Sequence, residues 1–423
     1  MPTSTDYIDS TYAWLRLVVA LALLTVGGAS MYVVSVVLPA VQAEFNVARA
    51  DASLPYTVTL IGFGLGGMLM GRLADRFGVM WPLLGGSICL GIGFVVAGIA
   101  PNLWVFAAAH GILIGLLGSS TTFAPLIADT TLWFAQRRGI AVAICASGNY
   151  LAGTIWPPIA QHFVETVGWR KTYIGLGIFC GVTMFALALL LKKRPPMASA
   201  PGSTNVQEPH PASLYGPATA AAFFGSRPFG LAPNFAQTLL CIAGVACCVA
   251  MAMPQVHIVA YCGDLGYGAA RGAQMLSLML GAGIVSRLIS GVICDHIGGI
   301  RTLLLGSALQ GLALLLFIPF DDMVSLFLIS VLFGLFQGGI VPSYAIIVRE
   351  HFAPQEAGVR VGTVLMFTMF GMALGGWMSG KVFDLTGSYN AAFINGIGWN
   401  LLNFAIVSWL LWRVMKLRQA NKT

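Results

Sequence analysis

Charged residues interrupt this chain at intervals close to one membrane thickness, and long apolar runs lie between them. Uncharged stretches extend from Leu17 to Val41, Ala52 to Gly71, Phe77 to Ala128, Gly139 to Val164, Thr172 to Leu191 and Pro228 to Gly263, then from Gly272 to Cys294, Thr302 to Phe320, Met323 to Val348, Val361 to Gly380 and Leu385 to Trp412. A helix needs about 20 apolar residues to cross a bilayer. The third stretch is too long for one crossing and is divided at Ala100-Pro101-Asn102, so the pattern predicts twelve transmembrane helices and an all-α membrane protein. One strong charge lies inside a span, Arg287 in Gly272 to Cys294.

The longest polar stretch, Lys192 to Pro233, is rich in Pro, Ala and Ser and reads as a linker. It divides an N-terminal six-helix bundle, residues 1–191, from a C-terminal one, residues 234–423, with the linker at 192–233. Its Ser226-Arg227-Pro228-Phe229 end is placed on the membrane surface. The halves repeat each other. Gly71-Arg72-Leu73-Ala74-Asp75-Arg76-Phe77-Gly78 follows the second span and Gly291-Val292-Ile293-Cys294-Asp295-His296-Ile297-Gly298 the eighth, 220 residues later. Phe134-Ala135 and Phe352-Ala353 are offset by 218, so the two bundles are expected to be pseudo-symmetric.

Composition agrees with a lipid solvent. The chain is 57% hydrophobic and 9% charged, with a mean hydropathy of +0.84. Soluble domains carry about 25% charged residues, so a soluble enzyme, a DNA-binding protein and a disordered scaffold are excluded. The net charge of +7 is then read by topology, since Lys and Arg collect in cytoplasmic loops. With both termini inside, sixteen of the 22 basic residues are cytoplasmic; Arg49, Arg170, Lys171, Arg271 and Lys381 lie outside, and Arg287 in the membrane. The first apolar run is too long for a cleaved leader and is expected to be retained. Cys89, Cys145, Cys180, Cys241, Cys247, Cys248 and Cys294 lack CxxC or Cys/His spacing and read as buried thiols. Gly62, Gly64 and Gly67 spell GxGxxG without a preceding strand, so no nucleotide site follows, and Gly67 with Gly71 is spaced for close helix packing. No ATP-binding, metal or hydrolase motif is present, so no enzyme, cofactor or metal is expected.

The paired GxxxDxxG loops, twelve spans and central linker resemble the major facilitator superfamily of secondary transporters. Trp133-Phe134-Ala135-Gln136-Arg137-Arg138-Gly139-Ile140-Ala141, then Ala146-Ser147-Gly148-Asn149-Tyr150-Leu151-Ala152-Gly153 and Gly168-Trp169-Arg170, resemble the monocarboxylate transporter family. Pro254-Gln255-Val256-His257 through Asp264-Leu265-Gly266, with Ser286-Arg287-Leu288-Ile289-Ser290-Gly291, look like its bacterial members. Two departures matter: mammalian members have a lysine where this chain has Tyr32 and an aspartate where it has Gly283. Proton coupling through those groups does not carry over.

Arg287 lies eight residues from Asp295, about 12 Å at ~1.5 Å per residue, and so near the bilayer midplane. A charge there costs at least about 2.5–3.5 kcal/mol, so it is expected to face a wet cavity and meet a negative group. That group is the substrate carboxylate or, in a purely structural role, an acid on another helix. Asp264 is expected to carry a proton at an outer gate beside a helix loosened by Pro254, releasing it when paired with Arg287 or wetted. The alternative is an exposed loop carboxylate. His257, on the same helical face, is a substrate-binding candidate or a satisfied core histidine; for His110 the core role is preferred. Tyr32, Thr121, Thr122, Asn149, Gln337 and Tyr344 are further substrate candidates that could instead join helices. Asp75, Arg76 and Asp295 are expected to gate from the cytoplasmic loops, joined by Asp129, Arg137 and Arg138.

The function expected is secondary transport of a small monocarboxylate with a proton, by alternating access. The partners are that organic anion, the proton and the lipid bilayer, without nucleic acid, in a monomer of a bacterial inner membrane. An exchanger or exporter of another organic anion, such as a dicarboxylate, is the nearest alternative, and a membrane receptor a remote one.

Overall fold

The computed structural model describes residues 8–134, 137–193 and 227–420. Among these, twelve helices are long and apolar enough to span a membrane: Thr11–Phe45, Arg49–Phe77, Met80–Gly98, Leu103–Trp133, Gly139–Val167 and Trp169–Leu189, then Pro233–Asp264, Ala269–Ile297, Gly299–Leu316, Met323–His351, Glu356–Thr386 and Tyr389–Leu417. They are numbered here as the first to twelfth spans. The break foreseen at Ala100-Pro101-Asn102 separates the third from the fourth, and Asn102 caps the new helix by accepting from the Val105 amide. Residues 194–226, most of the linker, lie outside the described residues.

An even number of crossings places both ends of the helical array on one face, called here the termini face; the opposite one is the far face. Buried apolar clusters divide by half. One runs from Ala13 to Leu191, and another from Phe229 to Val414. A third cluster joins the halves, with Met31, Val34, Leu38, Tyr56 and Leu60 against Ala252, Val256, Ala260 and Ala373. Two six-helix bundles therefore meet along the first, second, seventh and eleventh spans.

The repeat persists in detail. The second and eighth spans both end on glycines that need positive φ, Gly78 at 87° and Gly298 at 84°. Asp9 and Phe229, 220 residues apart and just before the first and seventh spans, take the same left-handed conformation, with φ of 53° and 56°. Between bundles, Thr57 Oγ1 of the second span donates to the Ala373 carbonyl of the eleventh at 3.0 Å, and Ser277 Oγ of the eighth donates to the Thr154 carbonyl of the fifth. These two bonds are mates under the same offset.

One packing expectation is corrected. A side chain at Gly67 or Gly71 would meet nothing within 4 Å, so neither glycine makes a close helix contact. The glycines that do are Gly62 and Gly66, whose missing Cβ atoms leave room for the Gly111 and Leu116 carbonyls of the fourth span. Helix periodicity alone did not say which glycine face turned inward.

Candidate functional site

Three spans lose regular α-geometry near mid-membrane. The first is interrupted at Gly28, where a Cβ would lie 2.6 Å from Ala152 Cβ. The fourth widens to a π-helix over Ala109–Gly118 and tightens over Ser119–Thr121. The tenth is interrupted at Gly338 and Gly339, 220 residues after Gly118. Broken helices leave backbone polar groups unpaired in the membrane, which suits them to line cavities that take polar cargo.

Arg287 sits at this level, half-buried. Its Nη1 donates to the Ala146 carbonyl of the fifth span at 3.2 Å, and its guanidinium carbon lies 4.5 Å from the Tyr150 ring centroid. Its Nε is buried without a partner, and among the described residues no carboxylate pairs with it. The structural alternative, an acid on another helix, is thus not realised here. Gly283, one turn earlier, leaves room for Tyr150: a Cβ there would lie 2.5 Å from Tyr150 Cε1. An aspartate at that position would collide with the ring that stacks on Arg287. Tyr32 donates to Asn149 Oδ1 at 2.9 Å, and Asn149 joins Thr122, Met31, Phe63 and Phe123 around a small cleft where the first and fourth spans break. Gln337 accepts from Gln255 Nε2 at 2.9 Å, and its own Nε2 is buried and unpaired. Arg287, Tyr32, Asn149, Thr122 and Gln337 thus all lie at the level of the breaks.

Other candidates lie elsewhere. Tyr344 is fully buried in the C-terminal core and donates to Asn403 at 2.7 Å. Thr121 is buried against Gly86 of the third span and donates to the Gly118 carbonyl. Both serve packing, because their helix faces turn away from the bundle interface. His110 is held between Thr59 Oγ1 at 3.0 Å and the Tyr173 hydroxyl at 3.2 Å, as a core histidine. His257 is fully buried with both ring nitrogens engaged: Nε2 lies 2.8 Å from the Gly376 carbonyl and Nδ1 3.3 Å from the Tyr389 hydroxyl. It offers no free nitrogen to a substrate in this conformation.

Asp264 does not pair with Arg287. It receives Arg49 bidentately, from Nη1 at 3.0 Å and Nη2 at 3.2 Å, across the bundle interface at the far face. Arg49 Nη1 also donates to Tyr389 at 2.6 Å, and the Arg49 guanidinium stacks 4.6 Å from the Phe383 centroid. Asp384 accepts the Arg49 and Ala50 amides, both at 2.8 Å, at the start of the second span. One N-terminal residue thus engages the seventh, eleventh and twelfth spans, and the far face is closed. The sequence treated Arg49 as a loop charge; its place at the first turn of an apolar span was the available signal.

The termini face differs. Asp129 was expected beside Arg137 and Arg138, but it is buried against Arg16, with bonds of 2.9 and 3.0 Å. Arg16 also donates to the Leu191 and Lys193 carbonyls at 3.2 and 3.0 Å, so the pair ties three spans of one bundle together. Arg137 is exposed, and the Arg138 side chain is outside the described residues. Asp75, Arg76 and Asp295 are exposed, and among the described residues none makes an ion pair. The inner lock expected of them is absent from this conformation.

Twelve spans, two repeated bundles closed at one face and broken helices at the midplane describe an alternating-access carrier. The chain matches the Major Facilitator Superfamily over residues 19–325 and 301–423, and it belongs to that superfamily. Among curated relatives, monocarboxylate transporter 13 of Rattus norvegicus is 27% identical over 83% of this chain and 77% of its own length. The MFS-type transporter YhjX of Escherichia coli (strain K12) is 24% identical over 80% of each chain. Among solved structures, the fold is similar to a bacterial homologue of the human lysosomal transporter Spinster in an inward-facing, unoccupied conformation, with TM-score 0.67, 13% identity and 98% coverage of both chains. It is also similar to the nucleoside transporter NupG, with TM-score 0.69, 15% identity and 92% and 99% coverage. These relatives and neighbours are transporters, which are not enzymes.

Proposed function

We propose that this protein is a proton-coupled transporter of a small monocarboxylate, of the lactate or pyruvate kind, working by alternating access. The observation that carries the reading is Arg287: a mid-membrane guanidinium with an open Nε and no protein carboxylate paired to it. Such a cation is costly unless an anion or water meets it, and its planar fork matches a carboxylate. Tyr32, Asn149 and Gln337 stand at the same level to bind the rest of the substrate. Among the described residues no second cation accompanies Arg287, which favours a monoanion over a dicarboxylate. The relatives named monocarboxylate transporters point the same way at low identity.

The excess of Lys and Arg on the termini face argues for both ends in the cytoplasm of a bacterial inner membrane. The far face is then extracytoplasmic, and the conformation is closed outward. Asp75, Arg76, Asp295, Arg137 and Arg138 would form the inner lock when the far face opens, and the carrier would act as a monomer. Uptake of radiolabelled acids by proteoliposomes, with and without an imposed pH gradient, tests the reading. Arg287→Ala should abolish uptake while the protein still inserts, and Arg287→Lys should restore it only in part. Full uptake by the alanine variant would refute the substrate site.

A further inference from the structure

The far-face lock runs inward along a directed chain of hydrogen bonds that ends on His257. The Gly376 carbonyl can only accept, so His257 Nε2 carries a hydrogen and donates to it at 2.8 Å. Arg49 can only donate, so the Tyr389 oxygen accepts from Nη1 at 2.6 Å. The Tyr389 proton is then free to point at His257 Nδ1, 3.3 Å away, which accepts it. This pattern requires a neutral imidazole. A proton on Nδ1 would leave the Tyr389 hydroxyl without that acceptor and would place a second cation beside Arg49.

The groups that act on the ring agree with this. Arg49 comes from the second span, Tyr389 from the twelfth and Asp384 from the eleventh, and Asp264 and Tyr261 come from its own helix. Tyr56 of the second span packs on Gly376, the acceptor's residue. Both carboxylates are already bound, Asp264 by the Arg49 guanidinium and Asp384 by two backbone amides. Neither is free to balance a charged imidazole while the lock is made.

We infer that His257 is the proton carrier of the transport cycle, and that Arg49, acting through Tyr389, is the positioning residue that makes it release its proton when the far face closes. The inference rests on the proton-coupled reading above. Arg49 and Tyr389 belong to opposite bundles, so opening the far face separates them and admits water to the ring. His257 Nδ1 then takes a proton from hydronium, its lone pair forming the N–H bond and a water molecule being left behind. Closure returns Arg49 to Tyr389 and the hydroxyl proton to Nδ1. The N–H bond breaks with its electron pair remaining on nitrogen, and the proton passes to water on the termini side as that side opens. One proton moves inward with one anion. Asp264 suits this task less well: its side chain is 39% exposed, bound to a cation when the face is closed and wetted when it is open, so it stays ionised throughout.

His257→Gln tests the inference, because glutamine can donate to Gly376 and accept from Tyr389 but cannot be protonated near neutral pH. In proteoliposomes, lactate accumulation driven by an imposed pH gradient should fall at least tenfold, to the level without a gradient, while counterflow of labelled against unlabelled lactate persists. Asp264→Asn should slow transport yet still accumulate substrate. Arg49→Gln should shift the pH profile of uptake to higher pH by about one unit, since removing the neighbouring cation lets His257 hold its proton longer, and Arg49→Lys should restore the profile in part. Wild-type accumulation by His257→Gln overturns the inference. A second readout needs no substrate: the distance between spin labels on the two bundles at the far face should lengthen as pH falls in the wild type and be insensitive to pH in His257→Gln. If the wild type transports no monocarboxylate, the substrate reading fails, and this distance still decides the role of His257; equal pH responses in the two proteins would remove it.

Discussion

Replacing Asp384 by alanine should open the far face without touching any group proposed to bind substrate. In the closed form its two carboxylate oxygens each accept one amide, from Arg49 and Ala50, at 2.8 Å. These bonds cross from the eleventh span to the first turn of the second, where amides lack helical partners and the helix end carries partial positive charge. A hydrogen bond to a charged group is worth about 1.5–3 kcal/mol when buried. Asp384 is exposed, so each bond is discounted to about 1 kcal/mol, and the pair contributes about 2 kcal/mol to the closed form. At about 1.4 kcal/mol per factor of ten, Asp384→Ala should shift the equilibrium roughly thirtyfold towards the open far face. Spin labels at Val167 and Leu385, exposed ends of the fifth and eleventh spans, would report it as a longer distance population. An unchanged distance distribution, with the protein folded and monodisperse, would show that the carboxylate does not hold the face shut.

The Arg16–Asp129 pair is 3% and 9% exposed, so Asp129→Ala should cost about 3–5 kcal/mol by stranding a buried cation, read as a lower thermal midpoint in detergent. Gly66→Leu should also destabilise, because its missing Cβ faces the Leu116 carbonyl and Ser120, whereas Gly67→Leu should be tolerated; comparison of detergent-extracted yields separates them. Asp75→Asn should slow turnover with little change in equilibrium substrate affinity, since it biases a conformational equilibrium from a distance; a loss of affinity at unchanged turnover would contradict that.

The spans and the repeat were legible because lipid imposes one rule on every crossing, and departures from it, such as Arg287, are conspicuous. Side-chain roles were less legible. Thr121, Thr122, Gln337 and Tyr344 all lie on spans expected to border the cavity, but these helices are apolar on every face, so periodicity does not show which side turns to the cavity. Tyr344 turned into its own bundle and Gln337 towards Gln255. Arg49 was missed for another reason. Its partners Asp264, Asp384 and Tyr389 are 215, 335 and 340 residues away, and they converge only once the order of twelve helices around the interface is known. The breaks had a visible mark, the Gly27-Gly28 and Gly338-Gly339 pairs.

The repeat itself makes the lock informative. Thr57 to Ala373 and Ser277 to Thr154 are mates under the 220-residue offset, so mid-membrane contacts between bundles are duplicated. The same offset relates Asp384 to Glu165 and the Arg49–Ala50 turn to Ala269–Ala270. That second lock is not made: Glu165 instead accepts from Gln161 Nε2 at 2.8 Å, on its own helix, and is exposed. The far face is therefore tied by charge where the second, seventh, eleventh and twelfth spans meet, and by packing and the Ser277 bond where the fifth meets the eighth. Opening should be limited by the first side alone. Glu165→Ala then supplies an internal control for Asp384→Ala, since both remove one carboxylate from equivalent helix ends. It should leave the Val167–Leu385 distance distribution within about twofold of wild type, against the roughly thirtyfold shift expected of its mate. Equal shifts in the two variants would mean that loss of far-face charge in general, and not the Arg49 turn, controls the opening.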